Sequence, residues 1–371
     1  MSDTWISFNG NALSLNGYGL VVSGQNPYNP LNLPAYTVRF QFDDSSYDPT
    51  QVSGWKAGSA WTRVSTSPNI WDYYTGDTSR AYDSTFSGKF IDVGNTVHIL
   101  GAYLPLTTNT SSTNGNHFLT GCTALASIAT VDFSGFKSFN DSFSQCSILS
   151  SIGTIHAPSI TSMTYAFAYC PLITSAPDIK YTASNLTSIG GIFNACSSLQ
   201  NFPYAYDTSY VTSFESAFHD CTSLQTAPTL DTSNGVRFGG MFLGCSNLST
   251  MYTYDLSKAT DVQGMLQRCV SLRSIPTFNT RLVQNFNGML YGCENLLEIP
   301  LFSTTNAVDM ATMCRDCYSV DTGALALYQQ ASSQAYPPSI YTQCFTNCGI
   351  HSITGAQELA AIPTSWGGTM A

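Results

Sequence analysis

Charge is scarce in this chain. Only 10% of its 371 residues are Asp, Glu, Lys or Arg, against roughly 25% in an ordinary soluble domain. Four are Glu: Glu215, Glu294, Glu298 and Glu358. So few leave no obvious carboxylate pair for acid–base or glycosidic chemistry. Thirteen Lys and Arg stand against 23 Asp and Glu, a formal charge of −10, with no basic run of four. A role that tracks a phosphate backbone would lack its main attractive term, so no nucleic-acid partner is expected. No run of 18 apolar residues occurs, and no membrane-spanning helix is expected. Met1-Ser2-Asp3-Thr4-Trp5 has neither the basic nor the apolar part of a signal peptide, and a product made in the cytoplasm is expected. Nucleophile-elbow, P-loop, His-Glu-x-x-His and dinucleotide motifs are all missing. The five histidines (His98, His117, His156, His219 and His351) are scattered. No enzyme and no cofactor are expected.

Cysteine is absent from the first 121 residues and then becomes regular. Cys122, Cys146, Cys170, Cys196, Cys221, Cys245, Cys269, Cys293 and Cys317 follow at intervals of 24, 24, 26, 25, 24, 24, 24 and 24, and Cys348 closes the series. Other positions keep the same phase. Three residues before the cysteine stand Leu119, Phe143, Phe167, Phe193, Phe218, Phe242, Leu266 and Leu290. Seven before stand Phe139, Met163, Ile189, Phe214, Phe238, Val262, Phe286 and Met310. Three after come Leu125, Leu149, Ile173, Leu199, Leu224, Leu248, Leu272, Leu296 and Val320; six after comes a further apolar column, often followed by Pro. A coil of this length cannot bury its own apolar side, so the pattern predicts stacked coils. The fold class expected is mainly β with short helical turns: a leucine-rich repeat solenoid of about ten coils, roughly 4.8 Å apart and roughly 50 Å long.

The segments Asp231-Thr232-Ser233-Asn234 and Met241-Phe242-Leu243-Gly244-Cys245-Ser246-Asn247-Leu248 resemble the BspA-like leucine-rich repeats, as does Gly288 to Leu296. The resemblance covers roughly residues 95 to 355. It implies binding without catalysis, through a repeat face presented to proteins or host surfaces. Trp71-Asp72 with Tyr73, Phe86, Val97 to Ala102, and the ending Ile362-Pro363-Thr364-Ser365-Trp366-Gly367-Gly368 are similar to versions of this family carried by phages of gut Bacteroidales.

Four of the five Trp and no Cys lie in the first 90 residues, where Asn9-Gly10 and Asn16-Gly17 signal hairpin turns and Thr37 to Phe42 alternates. This predicts a small all-β N-terminal module. Residues 1–24 are expected to be a docking segment, 25–90 the β module and cap with a linker at 25–34, 91–355 the repeats, and 356–371 a C-terminal cap. A helical insertion is expected near 323–334 and a second short helix at 357–361.

Three sets of side chains are candidate sites. Tyr204, Tyr206 and Tyr210 in one coil and Tyr252 and Tyr254 two coils later, rimmed by Gln200, Asn201, Gln225, Thr226 and Arg273, are either ordinary solvated tyrosines or a recognition patch. Fourteen residues before each cysteine runs a polar column containing Asp207, Asp231 and Asp255. It is read as a turn at each corner, with Ca²⁺ as the alternative. Cys314, Cys317, Cys344 and Cys348 are read as core residues, with Zn²⁺ as the alternative, and disulfides are not expected.

From the resemblance, the expected role is a non-enzymatic virion structural and adhesion protein, made in the host cytoplasm. The N-terminal module would meet other virion proteins and the repeat face a host surface protein or glycan, in a homo-oligomer. The alternatives are a BspA-like adhesin on a bacterial cell surface and a glycan-cleaving spike.

Overall fold

The computed structural model describes the backbone of residues 4–8, 11–16 and 19–22. It describes 26–35, 37–51, 60–75, 86, 96–104 and 114–368 with their side chains, that of Tyr103 excepted. Strands β1 (Thr4–Phe8), β2 (Asn11–Asn16) and β3 (Gly19–Val22) form an antiparallel sheet of their own. Phe8 pairs with Asn11 and Asn16 with Gly19. The connections therefore run through 9–10 and 17–18, so Asn9, Gly10 and Gly17 of the expected turns lie outside the described residues.

Strand β4 (Thr37–Phe42) pairs antiparallel with β6 (Asn69–Tyr74), and β6 with β5 (Ala60–Thr66). Alternation decides which side is dry: Val38, Phe40 and Phe42 are buried, while Arg39 and Gln41 are half-buried. Arg39 uses that outer face to reach Asp72, Nε to Oδ1 at 2.7 Å. On its other edge β4 meets β7 (Val97–Tyr103), where the sheet changes sense. β7 is antiparallel to β4 but parallel to β8 (Leu125–Ile128) and β9 (Val131–Asp132). Strands β10 (Ser151–Ile152), β11 (Ile155–His156) and β12 (Ile179–Lys180) continue the parallel part. The module and the first repeats thus share one sheet. The expected repeat start at Ile91 lies outside the described residues.

The stretch read as a linker is packed instead. Asn29 closes a loop on Leu33, giving and taking a hydrogen bond of 2.9 Å each way, and both residues are buried.

Beyond β12 regular strands end, but parallel pairing does not. One residue per repeat, eight before the cysteine, pairs with its equivalent from Ser138 through Ser162, Ser188, Ser213, Arg237, Asp261, Asn285 and Asp309 to Ile340. From there to the cysteine the backbone alternates its partners. Val262, Gly264, Leu266 and Arg268 donate N–H to Asn285, Asn287, Met289 and Tyr291 of the next repeat, while Met265, Gln267 and Cys269 donate to the residue three earlier. In place of the expected short helical turn, the segment before the cysteine is therefore a chain of three-residue turns that alternate with bonds across repeats. This geometry requires left-handed backbone five residues and one residue before the cysteine. Gly264 (φ 59°) and Gly292 (φ 72°) meet that need without steric cost; Tyr165, Ser216 and Asp220 adopt it with side chains.

Inside, the expected columns stack. Phe143, Phe167, Phe193, Phe218 and Phe242 lie nearly parallel, neighbouring ring centroids 5.1 to 6.0 Å apart. All twelve cysteines are buried and free. The ladder cysteines use their thiols as donors: Cys221 Sγ donates to the carbonyl of Phe193 at 3.2 Å, Cys245 to Phe218 at 3.0 Å and Cys269 to Phe242 at 3.2 Å. Each bond ties a cysteine to the preceding repeat, at a carbonyl that already accepts the N–H of that repeat's own cysteine. A small, weakly donating side chain fits there, which explains why sulfur recurs.

Helix α1 (Ala324–Ser332) occupies the expected insertion. Helix α2 (Ile353–Ala360) begins four residues before the expected position because the Ser352 hydroxyl accepts the N–H of Gly355 at 3.1 Å and caps it. Trp366 stacks on Tyr341 at 4.3 Å and covers the last repeat.

Candidate functional site

Where repeats differ in length the inward columns stay in register, as Phe167, Phe193 and Phe218 do, and the extra residues are taken up outside them. The intervals of 26 and 25 residues fall between Cys170 and Cys221, and there the wall opens into a groove of about 460 Å³. Its floor and sides come from β11, β12, the loop after β12, and the segment leading to Asp207.

Tyr28, from the Asn/Pro-rich stretch, forms one end. Its ring lies flat on His156, centroids 4.1 Å apart and planes within 9°. His156 Nδ1 lies 3.3 Å from Asp132 Oδ1, and Asn26 Nδ2 donates to Asp132 Oδ2. Burial is the largest influence on the Asp132 carboxyl and pushes its pKa up. Hydrogen bonds from His156, Ser134 and Asn26 together outweigh it and hold the group below its ordinary 3.8. Lys180 Nζ pairs with Asp178 Oδ1 at 2.9 Å. At the other end the Tyr181 hydroxyl donates to the carbonyl of Asp207 at 3.1 Å, and burial raises this phenol well above its ordinary range. Tyr204, 44% exposed, faces the same space.

The structure divides the tyrosine patch expected from sequence. Tyr204 lines the groove with its exposed ring and Tyr206 borders it from within, while Tyr210 and Tyr252 are exposed elsewhere. Tyr206 and Tyr254 are not surface residues. They are buried, their hydroxyls donating to the carbonyls of Pro177 at 2.7 Å and Pro228 at 2.6 Å. Both stand fifteen residues before the next cysteine, the phase of Leu230, Phe278 and Phe302, which are also buried. The repeat phase marks this column as inward, and the polar tip of tyrosine disguises it in the sequence. Gln200, Asn201, Gln225, Thr226 and Arg273 are exposed, but the groove does not include them.

The acidic column forms turns. Asp207, Asp231 and Asp255 each accept, through Oδ1, the N–H two residues on, at 3.1, 2.9 and 2.8 Å. The next threonine reaches forward: Thr208 and Thr232 hydroxyls donate to the carbonyls of Asp231 at 2.8 Å and Asp255 at 3.0 Å. Asn234 reaches back to the carbonyl of Ser209 at 2.6 Å. The Asp-Thr-Ser-Asn motif is therefore a corner fastened in three directions. Cys314, Cys317, Cys344 and Cys348 are buried thiols. Among the described residues, no group of three or more His, Cys, Asp or Glu side chains is placed to hold a metal ion.

A second hollow of about 490 Å³ follows the residues flanking the cysteines, bounded by Asp220, Arg268, Tyr291, Glu294, Asp316 and Tyr318.

Residues 137–252 and 225–328 match the family described as "Mycoplasma protein of unknown function, DUF285". Together these spans cover just over half of the chain, which belongs to that family. Among solved structures, the chain is similar to a leucine-rich repeat protein of T. pallidum (18% identity, 48% of this chain, 83% of that one, TM-score 0.29). It is also similar to a leucine-rich repeat protein of Eubacterium ventriosum (14% identity, 70% of this chain, 94% of that one, TM-score 0.32). No curated protein matches the chain.

Proposed function

We propose that the chain is a non-enzymatic binding protein, a leucine-rich repeat solenoid of about ten coils, acting as a structural and adhesion component of a virion. The observation that carries the binding reading is the parallel pairing from Ser138 to Ile340. It holds two rows of polar side chains in fixed positions. At one end Ser162 Oγ bonds Asn140 and Thr164, and Thr164 bonds Ser188, at 2.6, 2.9 and 3.0 Å; further along the rows carry Glu215, Arg237 and Asp261. A surface ordered by its own backbone loses little freedom when a partner docks. The virion assignment is supported by the flanking motifs around Trp71 and Trp366. The β1–β3 sheet, which is separate from the sheet of the repeats, supports docking to other virion proteins and homo-oligomer formation. Host surface protein or glycan is the proposed target of the repeat face.

A second reading, an adhesin on a bacterial cell surface, is equally consistent with the match to a family described from Mycoplasma. Labelled protein applied to gut Bacteroidales cells and to cultured epithelial cells separates the two. Saturable binding to the bacteria supports the virion reading, binding to epithelium alone supports the second, and binding to neither overturns both.

A further inference from the structure

The groove between Tyr28 and Tyr204 has no place in the regular repeat, and its chemistry narrows what fits it. Its volume, about 460 Å³, falls within the roughly 300–1,000 Å³ of small-molecule sites. Among the described residues that line it, the one lysine or arginine, Lys180, is paired with Asp178 at 2.9 Å. A phosphate or carboxylate ligand would have to break that pair. An apolar ligand would strip water from the same charges. What the walls offer is four tyrosines (Tyr28, Tyr181, Tyr204 and the largely buried Tyr206) interleaved with carboxylates, an ammonium and the Thr182 hydroxyl. A ligand matching this wall has apolar C–H faces alternating with hydroxyls that both donate and accept.

We propose that this groove binds a short neutral oligosaccharide, a ring face lying on Tyr204 or Tyr28 and its hydroxyls bridging Asp178, Lys180 and Asp207. The proposal rests on the reading of the chain as a binding protein and specifies one ligand class for it. The extra residues of the two long coils then have a purpose, because they open the space that a regular stack would fill.

Saturation-transfer NMR of the full chain with maltotriose, mannotriose and triacetylchitotriose, each up to about 10 mM, tests this, since weak millimolar binding is still visible there. Sialyllactose and inorganic phosphate serve as anionic comparisons. The expected result is transfer to ring protons of at least one neutral trisaccharide, weakened about tenfold or more in Tyr204→Ala, as for an aromatic anchor. Tyr204 is exposed, so this variant keeps its core; Tyr28→Ala provides the second check. No transfer from any neutral sugar, binding equal in both variants, or binding of the anions alone overturns the proposal. Cell binding that persists without sugar binding would leave the adhesion reading standing and remove only the groove's ligand. Cleavage of a bound sugar would do the reverse, removing the non-enzymatic reading and keeping the ligand class.

Discussion

At the scale of single residues, the repeated cysteine is explained by size and one weak donor. Cys245→Ala removes the bond to Phe218 and leaves a small void, at an expected cost of about 1–2 kcal/mol in denaturant unfolding. Burial raises the ladder thiols, that of Cys170 to about 12 and that of Cys293 to about 12, so neither forms thiolate at neutral pH. Tyr206→Phe and Tyr254→Phe each leave a proline carbonyl without its hydroxyl donor, and each is expected to cost about 1 kcal/mol. A surface role would predict no change. Asp132 gives the chain an acid sensitivity. Its folded-state pKa lies below the ordinary value of 3.8, so its contribution to stability is complete above that value and is lost as pH falls through the folded value. Thermal unfolding of Asp132→Asn, followed from pH 5 down to about pH 2, should show a shallower acid loss than the parent.

At the scale of the element, the turn before each cysteine is the unit, and its cost lies in the backbone. Gly264→Ala meets only the movable end of Gln267, at 3.1 Å, so the penalty comes from φ 59° and should be about 1 kcal/mol. Ser216→Gly, at φ 56°, should instead gain about 0.5 kcal/mol, the steric relief exceeding the added chain entropy. Much of this element was legible beforehand. The period, the inward columns and the Asp corners follow from spacing alone, because stacking forces equivalent residues into equivalent places. The left-handed pair was not read, since glycine fills those positions in some repeats and Tyr, Ser or Asp in others. The groove was half legible: Tyr204 and Asp207 were named, and the intervals of 26 and 25 marked its place. Tyr28, contributed from more than a hundred residues away, carries no local signal of its pairing with His156.

At the scale of the molecule, stacking makes each repeat depend on its neighbours, and the last described repeat depends on Trp366. Trp366→Ala exposes Tyr341 and Phe345 at an open strand edge. The expected result is a loss of about 3–5 kcal/mol with concentration-dependent aggregation, read by light scattering. Strands β4, β5 and β6, joined to the parallel repeats through β7, protect the opposite edge by the same logic.

The central claim is that the cysteines form one dry, reduced interior spine. Titration with a thiol reagent, native and then in denaturant, tests it most directly. The account expects no fast-reacting thiol in the native protein and all twelve after unfolding, on a chain whose mass is that of the fully reduced form. Several thiols reacting at once in the native state, or a mass showing disulfides, would contradict it.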